Sequence, residues 1–141
     1  IIKAGLVAPS AKNRRPIHIF YAHDEKLFKK LGECSPSFNI LSRSPYAFFV
    51  FGDTVHEDDE FLLNNNASAV TMNLLNAITS FNLGAVWLGA AKSEANNQHV
   101  QEVLKIEPRY RLYSIIAFGV PDETKEGYQT FDLDRVHKHK W

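Results

Sequence analysis

Apolar and polar positions alternate along this chain in a pattern that predicts helices placed between strands. An apolar stretch at the start predicts a short helix, and Pro9 ends it because proline cannot continue a helix. Ile17–Tyr21 then predicts the first strand, and Leu112–Phe118 predicts another. Tyr46–Phe51 is a continuous apolar run, which is typical of a strand covered on both faces.

Further helices follow from capping residues and apolar spacing. Asp24 suits the N-cap of a helix over Glu25–Glu33, and Ser93 suits the N-cap of a helix that runs through Leu104. Between these two helices, Ala85–Leu88 predicts a short strand.

The longest predicted helix spans residues 59–82. Leu74, Ile78 and Phe81 belong to one apolar stripe, whereas Met72 lies on another side of the axis. A helix that is apolar on more than one side is expected to be central and buried. The whole pattern predicts a layered α+β domain with helices on both faces of a mixed sheet, formed as a single domain over residues 1–141.

Composition and charge exclude several classes of protein. Sixteen basic residues balance sixteen acidic residues, so no overall field favours nucleic acid or an acidic membrane surface. The lone cysteine, Cys34, excludes an internal disulfide framework and suits a reducing compartment. No apolar run reaches the ~18 residues of a membrane span, and there is no secretory signal pattern. We therefore expect a cytoplasmic protein.

The usual catalytic and metal-binding patterns are missing from the sequence. The six histidines include no i,i+4 pair on a predicted helix, so no metal site is expected. Cys34 has no evident histidine partner, and no G-x-S-x-G or G-x-G-x-x-G motif is present. The sequence therefore predicts no catalytic side chain and no Rossmann dinucleotide site.

Three segments remain that could hold a planar polar ligand. The opening loop, residues 8–16, offers free backbone N–H groups with the Ser10 hydroxyl and the Asn13 amide. Asn66 and Asn73 share a face of the long helix. Trp87–Ala90 ends a strand in small residues, which let a flat ring approach the backbone. Each segment also has a purely structural interpretation. The opening loop would then be a plain helix-to-strand connection, the two amides would bind neighbouring loops, and Trp87–Ala90 would be an ordinary strand end.

In order and approximate spacing, these segments resemble the FMN-dependent nitroreductase family. The opening loop resembles its A-P-S-x-x-N-x-Q-P-W loop, and residues 83–89 resemble its G-L-G-x-x-W-I-G element. Residues 104–111 look like its L-G-I-P-E-G-Y-R, and residues 115–121 look like its A-L-I-A-L-G-Y-P. The ending at residues 136–141 is similar to its V-V-H-Y-x-R-W, so the resemblance covers nearly the whole chain.

The resemblance implies a homodimer of three-layer α-β-α sandwiches, each with a mixed, mainly antiparallel sheet and one FMN. The flavin would lie between the opening loop of one copy and the strand end of the other, with the phosphate on the basic tail. The residues implied to bind the cofactor are Ser10, Ala11, Asn13, Arg15, Trp87, Leu88, Gly89, Ala90, Lys138 and Lys140. The implied reaction is a ping-pong transfer of electrons from NAD(P)H to a nitroaromatic, quinone or similar acceptor.

The sequence also departs from the family pattern. The family's Arg-rich phosphate motif lies before the A-P-S loop, and nothing precedes Ile1, so we expect an upstream segment beyond the recorded chain. Arg15 replaces the usual Gln and Asn66 the usual Asp. Two alternatives to the enzyme stay open: a homodimer that binds flavin or another small ligand without turnover, and a structural dimer that has lost the cofactor.

Overall fold

The centre of the structure is an antiparallel sheet. The computed structural model describes residues 1–90, 93–127 and 130–139. Within these residues the sheet has four strands, in the spatial order β1-β2-β4-β3. They are β1 (Ile17–Ala22), β2 (Tyr46–Asp53), β3 (Gly84–Gly89) and β4 (Tyr110–Gly119).

The helices begin close to the positions predicted from the capping residues. They are α1 (Ile2–Leu6), α2 (Glu25–Gly32), α3 (Glu60–Ser80) and α4 (Glu94–Leu104). Asp24 Oδ1 accepts a hydrogen bond from the Leu27 N–H at 3.0 Å, and Ser93 Oγ accepts one from the Asn96 N–H at 3.2 Å. A 3₁₀ segment over Pro36–Arg43, which the sequence pattern did not predict, buries Phe38 and Leu41.

Both faces of the sheet are covered, which confirms the three-layer α+β architecture. Alternate residues of β2 point to opposite faces: Phe49 and Phe51 to the first core, Phe48 and Val50 to the second. The first core lies between the sheet and α2, the 3₁₀ segment and α4. The second core lies between the sheet and α1 and α3. The expectation that Tyr46–Phe51 is buried on both faces is therefore confirmed.

The long helix lies on the second core, and its buried side is narrower than its composition suggests. Leu63, Leu74 and Ile78 are fully buried against the sheet. Phe81, predicted to continue the apolar stripe, is 63% exposed because α3 ends at Ser80. Met72 is also exposed, so part of the apolar surface of α3 faces away from its own sheet.

Within the described residues all three strand pairings are antiparallel, whereas the sequence predicted a mixed, mainly antiparallel sheet. The strands β2 and β3, which α3 connects, do run in the same direction. They do not pair with each other, because β4 lies between them. Sequence alone could not show this, since the same connection would equally serve two adjacent parallel strands.

A buried carboxylate joins the end of β2 to the start of β4. Asp53 Oδ1 accepts hydrogen bonds from the Val55 and His56 N–H groups at 3.0 and 3.2 Å, and Oδ2 accepts one from Arg109 Nη2 at 2.6 Å. Burial acts to raise the pKa of Asp53, but these hydrogen bonds and the Arg109 charge outweigh it and hold the pKa below its ordinary value.

This lowered pKa predicts a specific loss of stability in acid. A depressed carboxyl pKa contributes stability above the unfolded-state pKa, near 3.8, and that contribution disappears as the pH falls through the folded-state pKa. We expect Asp53→Asn to be less stable than the wild type at neutral pH, with the difference vanishing in stronger acid. Urea unfolding of both proteins, at neutral pH and again well below the unfolded-state pKa, measures this difference in stability. A difference that stays constant with pH would contradict the expectation.

Candidate functional site

The opening loop has a strained backbone conformation. Residues Ala11–Asn13 form a single 3₁₀ turn, and Lys12, Asn13 and Arg15 have φ values of 52°, 53° and 53°. Residues other than glycine rarely adopt this left-handed backbone conformation, so surrounding contacts must hold the loop in it. One of them is local: Ser10 Oγ accepts a hydrogen bond from the Arg15 N–H at 2.9 Å.

Helix α3 and the turn before it supply further contacts of the loop. Asn66 Oδ1 accepts a hydrogen bond from the Ala11 N–H at 3.0 Å. Arg14 Nη1 donates to the buried Glu57 Oε1 at 2.9 Å, and the Arg14 carbonyl oxygen lies 2.8 Å from His56 Nε2. Sequence reasoning missed Glu57 and His56, because an acidic residue near a helix start also suits the helix dipole.

The two helix amides bind neighbouring segments of the same chain. Asn73 Nδ2 donates to the carbonyl oxygen of Ala4 in α1 at 3.0 Å, and Asn66 holds the opening loop. The alternative in which these amides bind neighbouring segments is therefore the one observed. Their effect on a ligand would be indirect, through the position of the loop.

The end of β3 divides its predicted ligand residues between two faces of the sheet. Trp87 lies opposite Ile116 of the second core, so it points to the α3 face, where 40% of it is exposed. Leu88 packs in the first core, on the other face. Gly89 is two residues after Trp87, so a side chain at this position would also lie on the α3 face. A Cβ added to Gly89 would meet nothing within 4 Å.

Ala90 follows the strand and is nearly fully buried, so its side chain is less accessible than Gly89 or Trp87. Its N–H donates to the carbonyl oxygen of Tyr113 at 3.3 Å. Of the four residues predicted at this strand end, Trp87 and Gly89 are therefore the two that present an open surface.

Within one chain, α3 separates the opening loop from the end of β3. The loop leads into β1 and Gly89 ends β3, and these are the two outer strands of the sheet. The pairings of Ile17 with Gly52 and of Gly89 with Ser114 place both at the same end of the sheet. Three strand spacings of ~4.8 Å, about 14 Å in all, separate the two edges of the sheet.

Charged groups surround the start of α3 between these two segments. Tyr113 donates its hydroxyl hydrogen to Glu60 Oε2 at 2.8 Å, and burial with this carboxylate raises the pKa of the phenol well above its ordinary value. Arg111 contacts Glu94 at 2.8 Å and Glu60 at 3.4 Å. These contacts hold the Tyr113 hydroxyl and the Arg111 guanidinium at the start of α3.

The remaining predicted residues are at the surface or outside the described chain. Asn13 and Arg15 are exposed, Ser10 and Ala11 are half-buried, and Lys138 is exposed in the C-terminal segment. Lys140 lies outside the described residues. Cys34 contacts Asn96 Oδ1 at 3.3 Å, and burial raises the pKa of its thiol, which disfavours the reactive thiolate.

The described residues 1–90, 93–127 and 130–139 contain neither a membrane-spanning helix nor a cluster of metal-binding side chains. No helix there is long and apolar enough to cross a membrane. No group of three or more histidine, cysteine or acidic side chains is arranged to hold a metal ion.

Comparison with known proteins identifies the class to which this architecture belongs. Residues 36–120 match the sequence pattern of the Nitroreductase family. A protein of Archaeoglobus fulgidus, provisionally named as an NADH dehydrogenase/NAD(P)H nitroreductase, is 30% identical over 145 residues, which cover all of this chain and 83% of that relative. The chain therefore belongs to the nitroreductase family.

Solved structures agree with this assignment at the level of the fold. A Parabacteroides distasonis protein with the same provisional name superposes with a TM-score of 0.90 at 27% identity, covering 99% of this chain and 82% of the other. An FMN-dependent nitroreductase of Clostridium difficile gives a TM-score of 0.90 at 24% identity, with 99% and 84% covered.

Proposed function

We propose that this chain is an FMN-dependent oxidoreductase, which passes electrons from NAD(P)H to a nitroaromatic, quinone or similar acceptor in a ping-pong order. The observation that carries the proposal is the open end of β3, where Gly89 and a partly exposed Trp87 share one face of the sheet. The names of the relatives support the reaction class, and the name of the C. difficile structure supports the cofactor.

The residues at the end of β3 fit a flat aromatic cofactor. Nothing lies within 4 Å of the position of a Cβ on Gly89, so a ring can approach the backbone there without displacing a side chain. FMN, when bound, would supply the redox chemistry by taking up a hydride and giving electrons to a second substrate. Gly89 and Trp87 would support the ring, and Leu88 would stabilise the strand from the first core.

The opening loop would bind the same cofactor from a second copy of the chain. The Ser10 hydroxyl and the Asn13 amide offer hydrogen-bonding groups, whereas the Ala11 N–H already donates to Asn66 and Ala11 would contribute only contact. All three residues lie at the opposite edge of the sheet from Gly89. A homodimer resolves this separation, because the loop of one copy can then lie beside β3 of the other. Leu6 at the end of α1, Val7 just after it and Met72 on α3 are exposed apolar residues, which supports burial of this face in a dimer.

The C-terminal lysines would neutralise the phosphate of the cofactor. Lys138 is exposed and forms no ion pair among the residues that the structure describes. Lys138 and Lys140 together would place two ammonium groups beside a phosphate dianion, an electrostatically favourable arrangement.

An absorbance spectrum of the purified protein, taken after FMN addition and desalting, tests this function. We expect retained bands near ~375 and ~450 nm, the usual pair of an oxidised flavin, because the open backbone at Gly89 leaves room for the ring. Anaerobic addition of NADH or NADPH is then expected to bleach them, and a quinone to restore them.

The outcomes of this experiment separate the alternatives. Retained flavin that neither NADH nor NADPH bleaches would leave a binding protein without turnover. No retained flavin, in protein that includes any residues preceding Ile1, would overturn the proposal and leave a structural dimer. Dimer formation itself is checked separately, by the molar mass from light scattering.

A further inference from the structure

Strand β4 contains a β-bulge beside the end of β3. Its pairing with β2 shifts by one residue between Val50 and Phe51, which leaves Tyr113 as an extra residue in β4. Successive residues of a regular strand point to opposite faces of the sheet, but Tyr113 and Ser114 both contact α3. The bulge therefore turns two consecutive side chains toward this helix, and bulges are frequent beside functional sites for this reason.

The two bulge residues are also the ones that pair with the end of β3. Ser114 lies opposite Gly89 in the register of the two strands. The carbonyl oxygen of Tyr113 accepts a hydrogen bond from the Ala90 N–H at 3.3 Å. Because β3 is at the edge of the described sheet, the bulge is what holds the backbone at its open end.

A pair of buried hydroxyl groups connects the bulge to α3. Ser114 Oγ and Thr71 Oγ1 are 2.7 Å apart, in residues that are 1% and 0% exposed. Thr71 Oγ1 also donates to the carbonyl oxygen of Ala67 at 2.7 Å. A threonine hydroxyl has a single hydrogen, so Thr71 accepts from Ser114, and the direction of both hydrogen bonds is fixed.

The other bulge residue contacts α3 near the start of the helix. Tyr113 donates its hydroxyl hydrogen to Glu60 at 2.8 Å. A Cβ added to Gly52 would lie 2.7 Å from the Tyr113 ring, so this ring packs directly on the backbone of β2. About three helical turns separate Glu60 from Thr71, so α3 holds the bulge at two distant points.

The hydroxyl pair lies in a core that is otherwise apolar. Two apolar side chains of the same shape would stabilise the fold about as well, since a buried hydrogen bond contributes little beyond what its desolvation costs. The hydroxyls add direction, because a hydrogen bond is satisfied only within a narrow range of geometry. We therefore look for their role in the placement of β4 and of the strand end that pairs with it.

We propose that Thr71 and Ser114 are positioning residues for the cofactor site, and that they act through the backbone of Gly89 and Ala90. This inference rests on the proposed function and adds two residues that touch no part of the cofactor themselves. A flat ring binds more tightly to backbone that is already fixed, because less conformational entropy is lost on binding. The hydroxyl pair would thus raise the affinity for FMN from a distance.

Hydrogen exchange of the flavin-free protein tests the positioning itself. The double variant Thr71→Val/Ser114→Ala removes both hydroxyls and leaves neither of them unpaired, so its thermal midpoint is expected to stay close to that of the wild type. The Ala90 amide is expected to exchange about tenfold faster, the effect of one weakened hydrogen bond. The amide of Ala117, which is buried elsewhere in β4, should exchange as in the wild type.

Quenching of flavin fluorescence measures the second consequence, the affinity for FMN. The double variant is expected to bind FMN about tenfold more weakly than the wild type. Thr71→Ser keeps the hydroxyl and should bind FMN within about twofold of the wild type. Thr79→Val is the matched control, because the Thr79 hydroxyl donates to the Leu75 carbonyl oxygen of the same helix at 3.0 Å but is exposed. Its affinity for FMN should be that of the wild type.

Several outcomes would overturn the proposal. Unchanged exchange at Ala90 would show that the pair does not hold the strand end, and equally faster exchange at Ala117 would indicate a general loosening of the fold. An unchanged affinity of the double variant for FMN, or an equal loss in Thr79→Val, would separate the pair from the cofactor site. Failure of the wild type to bind FMN would overturn the proposed function, whereas the exchange at Ala90, measured without flavin, would still decide whether the pair fixes the strand end.

Discussion

Replacement of Gly89 by leucine is expected to prevent FMN retention while the protein stays folded. Gly89 has an ordinary negative φ and open surroundings, so a side chain adds no strain to β3 itself. The same side chain would occupy the space proposed for the flavin ring. A clash of about 3 kcal/mol lowers affinity on the order of 100-fold. Flavin absorbance after desalting and the thermal unfolding midpoint measure the two effects.

Gly127→Leu provides a control for this substitution. Gly127 also has nothing within 4 Å of its added Cβ, but it lies outside the four strands. The control protein is expected to retain FMN like the wild type. Full FMN retention by Gly89→Leu would show that the end of β3 is not part of the cofactor site. It would thereby contradict the observation that carries the proposed function.

Mixing two inactive variants is expected to restore about a quarter of the wild-type activity. One variant is Gly89→Leu, and the other is Asn66→Leu, which removes the acceptor of the Ala11 N–H and frees the opening loop. If each site takes its loop from one copy and its strand from the other, a heterodimer has one intact site and one doubly defective site. Random reassociation makes half of the dimers heterodimers. Because one of the two sites in each heterodimer is intact, a quarter of all sites are active.

The alternative arrangement gives a different result in the same experiment. If loop and strand served one site within a single chain, every site in the mixture would carry one defect and activity would stay near zero. The measurement is the steady-state oxidation of NADH with a quinone, after joint refolding of the two variants. Each variant refolded alone is the control for residual activity, and wild type mixed with wild type sets the full scale.

Much of the architecture follows from local features of the sequence. Asp24 and Ser93 begin their helices as predicted, because an N-cap needs only a side chain that accepts from nearby N–H groups. Tyr46–Phe51 is buried on both faces, since a continuous apolar run has no face for water. The opening loop and the glycine at the end of β3 were also recognised as candidate ligand-binding segments from their residues.

Long-range arrangement could not be deduced in the same way. Phe81 fits the apolar period of α3 but is exposed, because burial depends on where the helix ends over the sheet and not on period alone. Arg14 and Glu57 are 43 residues apart, and no local pattern indicates that their side chains meet. The hydroxyl pair of Thr71 and Ser114 is likewise formed by elements that are distant in the chain.

The sequence by itself determined the main helices and strands, the layered α+β class and the three candidate segments for a planar ligand, since these depend on side-chain period, capping and backbone freedom. Only the tertiary structure decided that β4 separates β2 from β3 and that α3 separates the opening loop from Gly89. The physical reason is that strand order and helix placement arise from burying both faces of the sheet at once. That condition acts on the whole chain and leaves no signature in any single segment.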